Sequence, residues 1–104
     1  MAQAISLSLS LRWPEVKNDY VVRFEGHAIG HVRLAGSDWV WAITVPMALP
    51  DWAAGSAANL EESIKALAGA WTRVLNQTAP ERLQRAWDLE KAAEARLRAN
   101  SSRS

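Results

Sequence analysis

From Ile5 to Trp13 every second residue is apolar: Ile5, Leu7, Leu9, Leu11 and Trp13 alternate with Ser6, Ser8, Ser10 and Arg12. Side chains along a strand point alternately to two faces, so a period of two predicts a strand with one buried and one wet face. Pro14 brings no N–H to a ladder and ends it, and Lys17-Asn18-Asp19 supplies turn chemistry. The same parity recurs from Tyr20 to Glu25, with Tyr20, Val22 and Phe24 on one face and Val21, Arg23 and Glu25 on the other. Gly26 and Gly30 then bracket His27-Ala28-Ile29, predicting a tight connection or a bulge. A third strand follows from His31 to Ala35, with Val32 and Leu34 inward and His31 and Arg33 outward. After the turn Gly36-Ser37-Asp38, a fourth strand from Trp39 to Val45 shares out Trp39, Trp41, Ile43 and Val45 to the bulky face. Val40, Ala42 and Thr44 take the other, and Pro46 closes the strand. Connections this short join antiparallel neighbours, because parallel pairing needs a crossover of about a dozen residues.

Past Met47 to Ala58, which carries Pro50 and Gly55 and is expected to be loop, the period changes. Asn59 with Glu62 three residues on forms a capping-box pattern, and Leu60, Ile64, Leu67, Ala68, Trp71, Val74 and Leu75 make one helical stripe. Thr78-Ala79-Pro80-Glu81 is a second helix start, with Pro where an N–H would be orphaned. The helix it opens is expected to reach about Ala99, with a thinner stripe of Leu83, Ala86, Trp87, Ala93 and Leu97. A chain of 104 residues supports one core. The expected fold is therefore α+β: a four-stranded antiparallel meander followed by two helices packed on one face (ββββαα), with residues 1–99 a single domain and 100–104 a flexible tail. Among the six tryptophans, Trp39, Trp41 and Trp71 are expected to meet in the core, with Trp13 at the end of the first buried face. Trp52, between Pro50 and Gly55, is a lid over the core edge or a loop contact for a partner.

Twelve Lys and Arg stand against eleven Asp and Glu, so there is no basic excess of the kind that drives unselective phosphate binding. The absence of cysteine rules out disulfides and thiolate metal sites and suits the cytoplasm, which is the expected location. The start lacks the basic region of a signal peptide, and no apolar run approaches a membrane span. No phosphate loop, HExxH or GxSxG is present. His27 and His31 are four apart, but they lie on a strand pattern rather than a helix, so the spacing does not make a metal pair. No cofactor and no metal are expected. The wet face gathers Arg12, Arg23, His31 and Arg33 with the serines of the first strand. That is a candidate surface for phosphates or carboxylates, and its small residues Ala42 and Thr44 would also admit a second sheet.

The run from Tyr20 to Trp71, with DWVWAITVP followed by GSAANLEESIKALAGAW, resembles a family of small bacterial proteins that carry a W-x-W strand and a G-x-A-x-x-L-E-E-like helix start. That family has no assigned activity. The meander leading into an L-E-E helix start is also similar to HicB-type antitoxin domains, which implies a partial RNase H fold and a toxin partner. The leading strand and the second helix fall outside that pattern. Four strands and then a helix also look like Whirly-type single-stranded-DNA-binding domains. The expected function is a non-catalytic protein-interaction module that binds a partner or itself. A single-stranded nucleic-acid binder using the basic face comes second, and an enzyme with an unrecognised site third.

Overall fold

A computed structural model describes residues 6–13 and 15–101 of the chain, without the side chains of Arg98, Asn100 and Ser101. Ile5, Pro14 and the tail from 102 lie outside the described residues. The sheet has strands β1 (Leu7–Leu11), β2 (Asp19–Phe24), β3 (His27–Ala35), β4 (Asp38–Ile43) and β5 (Ala54–Ala57), followed by helices α1 (Leu60–Gln77) and α2 (Pro80–Ser101). Order in the sheet is order in the chain, β1-β2-β3-β4-β5, and every neighbouring pair is antiparallel. The expected α+β meander is thus present with five strands instead of four. The added strand lies inside the segment expected to be loop, after a 3-10 turn at Asp51–Ala53. Its sequence, Ala-Gly-Ser-Ala, has little strand preference. A tertiary contact explains it: Gly55 stands across from Trp41, and a Cβ at Gly55 would come within 3.0 Å of the Trp41 ring. The indole lies over β5 at Gly55, where that strand is bare.

The hairpin between β2 and β3 turns on Glu25 and Gly26, both at positive φ (50° and 84°), the two-residue geometry whose twist suits a hairpin. β3 therefore starts at His27, not at His31, and His27-Ala28-Ile29 is strand rather than connection. The alternative expectation, a bulge, is met: the register shifts between Val22 and Arg23, so that Phe24 faces His27, Arg23 faces Ala28 and Val22 faces Gly30, with Ile29 left over. A bulge changes the parity of everything beyond it. His27 shares a face with Phe24, on the helix side, while His31 pairs with Val21 and Ala42 on the other. Ile29 is fully buried in the core. Gly30 has no room for a side chain, since a Cβ there would strike the carbonyl oxygen of Ala42.

Helix α1 begins as its sequence predicts: the Asn59 side chain accepts a hydrogen bond from the Glu62 N–H at 2.8 Å. Leu67, Trp71 and Val74 of its stripe are buried against Val22, Ile29, Val32, Trp41 and Ile43 of the sheet. Thr78 closes α1 instead of opening α2, its hydroxyl donating to the Val74 carbonyl at 2.6 Å. Trp71 meets Phe24 edge-on (5.6 Å between centroids) and Trp87 of α2 at a tilt (6.0 Å), whereas Trp39 stacks with Tyr20 (6.5 Å). The tryptophans therefore form more than one group. Three residues expected in the buried face, Leu11, Trp13 and Leu34, are exposed, because the helix layer does not reach that end of the sheet.

Helix α2 rests on the sheet through His27. The imidazole lies flat on the Trp87 ring (4.0 Å between centroids, 8° between planes), and its Nδ1 is 2.9 Å from Glu90 Oε1. Beyond Glu90 the apolar stripe is not used: Ala93 is exposed, as is Leu97 at 66%. The helix backbone continues to Ser101, past the expected end at Ala99.

Two outcomes follow for stability, measured by urea denaturation. Gly30→Ala forces β3 away from β4 and costs about 1–3 kcal/mol, as overpacking does. His27→Ala removes the stack and leaves Glu90 without its partner, costing about 2 kcal/mol. Because the two groups act as a pair, His27→Ala combined with Glu90→Ala costs less than the sum of the single changes.

Candidate functional site

The helices cover one face of the sheet, and the opposite face carries the four basic residues named from the sequence. Arg12 lies just past β1, where its N–H donates to the Asp19 carbonyl at 3.0 Å. Arg23 is on β2 across from Ser8 and Ala28, His31 on β3 across from Val21 and Ala42, and Arg33 on β3 across from Asp19 and Val40. A shallow depression of about 360 Å³ opens on this face, lined by Arg12, Val21, Ala28, Gly30, His31 and Thr44. Its walls are aliphatic and its polar groups are donors: a guanidinium, an imidazole and a hydroxyl. Arg12 and His31 are brought together in it, with Arg33 near enough to act on His31 through its charge. Arg23 is two residues from Val21 on the same face but does not line the depression.

Electrostatics mark His31 out. Burial pushes its pKa below the usual 6.5, the positive charges of Arg12 and Arg33 push it the same way, and Asp19 pulls it up. The folded protein thus holds this proton less tightly than the unfolded chain does. The stability that His31 contributes is complete above its unfolded pKa and is lost as pH falls through the lower folded value. Asp19 has one carboxylate oxygen, Oδ1, buried without a hydrogen-bond partner.

Around the end of the sheet the depression adjoins an exposed apolar patch. The Arg12 guanidinium lies 5.5 Å from the Trp13 ring centroid, and Leu11, Trp13, Val16 and Leu34 are each between 38% and 50% exposed. Trp13 thus leaves its expected place in the core and stands at the surface beside Arg12. Trp52 is remote from this region. It packs against the core with the Arg73 guanidinium over its ring at 4.3 Å, and with Trp41, Lys65, Gly69 and Ala70 it borders an open groove along α1.

Sequence reasoning missed the His27–Trp87–Glu90 group. A glutamate three residues after Trp87 and four after Ala86 falls on the buried stripe of α2, and that position was its only signal. Among the described residues no three or more His, Cys, Asp and Glu side chains gather at one point. No helix among them is long and apolar enough to cross a membrane. No family model, curated protein or solved structure matches the chain.

The charge on His31 is directly measurable. Arg12→Ala raises the midpoint of the His31 ring-proton titration in NMR while leaving it below the free-histidine value, since burial is the larger cause. Arg85→Ala, on α2, leaves it unmoved.

Proposed function

We propose that the chain is a non-catalytic interaction module that holds an acidic segment of a protein partner on the open face of its sheet. One observation carries this reading: the uncovered face has an aliphatic depression lined by Arg12 and His31, with the charge of Arg33 acting on His31, and it is continuous through Arg12 with the exposed Trp13 and its apolar neighbours. Donors that outnumber acceptors favour an anion, and arginine meets a carboxylate in planar two-point geometry. Exposed aromatic and aliphatic side chains beside such donors are typical of surfaces that bind protein. β1 at the sheet edge, with its serines, gives an extended segment backbone groups to pair with.

Single-stranded nucleic acid is the second reading, favoured by one observation: Trp13 is exposed with Arg12 against it, the pairing on which bases stack. The walls of the depression are aliphatic, and the chain's net charge is only +1. Both weigh against a surface that must track several phosphates. A second copy is the least favoured occupant, because two-fold stacking centred on the depression sets each Arg12 and Arg33 against its own likeness.

A fluorescence-anisotropy titration separates these readings. The probes are a labelled peptide of alternating Glu and Val, blocked at both ends, and an oligothymidine of similar length, each at low and at physiological salt. The peptide is expected to bind, and Arg12→Ala with Arg33→Ala to weaken it by about tenfold or more, while Arg85→Ala does not. Tighter, steeply salt-dependent binding of the oligothymidine replaces the protein reading with the nucleic-acid one. A concentration-dependent dimer in sedimentation, with no uptake of either probe, replaces it with self-association.

A further inference from the structure

The depression has a property that a plain basic patch lacks: a titratable group set among fixed charges. Of the groups around His31, Arg12 from the segment after β1 and Arg33 from β3 are positive at any ordinary pH, and Asp19 from β2 is negative. Arg23 lies further along β2. β4 offers Val40 and Ala42, the segment just after it Thr44, and β1 Ser10 across from Val21, none of which titrates. In the free protein, partial burial and the two guanidinium groups both oppose a charge on the imidazole. A carboxylate placed beside Arg12 and His31 offsets the second of those effects, and it also gives the imidazolium N–H an acceptor.

We propose that the depression is a proton-coupled carboxylate seat: an Asp or Glu side chain of the partner lies against the Arg12 guanidinium beside His31, and His31 takes up a proton from solvent as it arrives. The proposal rests on the reading of the open face as a surface for acidic protein. The proton balance is simple: neutral imidazole and carboxylate become imidazolium and carboxylate, with one proton drawn from the buffer. Thr44, which also lines the depression, supplies a hydroxyl to the oxygen that Arg12 leaves free. Asp19 offsets part of the local positive charge whether the seat is empty or filled. Linkage fixes the direction. Binding strengthens as pH falls through the window between the free and the occupied His31 midpoints, and it weakens again only where the ligand carboxylate itself takes a proton, near about pH 4.

The experiment is calorimetric titration of the full chain with the blocked Glu-Val peptide at one pH in two non-anionic buffers of different ionisation enthalpy, repeated across the acid to neutral range. Heats that differ between buffers in the sense of proton uptake are expected. Affinity should rise by about tenfold for each pH unit by which occupancy moves the His31 midpoint. In NMR the peptide shifts the His31 titration upward, while the ring protons of His27, on the helix side, serve as the internal control. His31→Gln is expected to abolish uptake and to hold binding at the level the unaltered protein shows above neutral pH. The NMR measurement on the unaltered chain stands even if that variant folds poorly. Peptide binding with no buffer dependence and an unmoved His31 signal overturns the seat and leaves the interaction reading intact. Absence of binding at every pH overturns both.

Discussion

The bulge opposite Val22 is the feature from which the two faces of this sheet take their character. In an uninterrupted strand His27, Ile29, His31 and Arg33 would all point the same way, since side chains alternate with a period of two. The extra residue at Ile29 breaks that sequence. It sends Ile29 and His27 to the helices and leaves His31 and Arg33 on the open side. Gly30 directly follows the extra residue, and a Cβ there would meet the β4 backbone. The shift in register thus decides which histidine packs beneath the helices and which stands on the open face.

Coverage of the sheet is lopsided: both helices among the described residues pack on the same face. α1 supplies Leu67, Trp71 and Val74, and Trp71 reaches both Phe24 and Trp87. α2 adds Ala86 and Trp87, then the polar contact of Glu90 with His27. That contact is partly sheltered, with side-chain exposures of 23% and 12%, and the second oxygen of Glu90 is buried with no partner. Burying a carboxylate beside a stacked imidazole is costly unless the pair is well made, so the position of α2 is specified more narrowly than apolar packing alone would manage. The helices leave uncovered both the far face and the end of the near face at Leu11, Trp13 and Leu34. These two regions meet at Arg12, which lines the depression and also touches Trp13.

The four longer strands and both helices were legible because each carries a local period: two in Leu7 to Leu11 and Trp39 to Ile43, near 3.6 in Leu60 to Leu75. The α1 cap was legible because Asn59 and Glu62 are a local pair. β5 was not, since nothing in Ala-Gly-Ser-Ala asks for a strand and the reason lies twelve or more residues back, in the ring of Trp41. Thr78 misled for a related reason. A threonine between two helices can serve either one, and the choice falls to the Val74 carbonyl at the end of α1. Of the candidate site, Arg12, Arg23, His31 and Arg33 were placed on the correct face by parity alone. That parity survived the bulge only because they were counted from anchors on its two sides, Arg12 and Arg23 before it and His31 and Arg33 after it. His27, expected in a connection or bulge between Gly26 and Gly30, lies in β3 on the helix side of the sheet.

The separation of the two histidines matters chemically as well as topologically. An imidazole locked flat on Trp87 and held at 2.9 Å by Glu90 has its acceptor already chosen and is not free to recognise anything else. His31 has no such carboxylate within hydrogen-bond reach among the described residues; its electrostatic neighbours are two guanidinium groups and a more weakly acting Asp19. One histidine is therefore satisfied within the fold, and the other is left with an environment that an anion would improve. On the proposed reading, a surface that gains more from an incoming carboxylate than a solvated arginine pair would selects for where that charge sits.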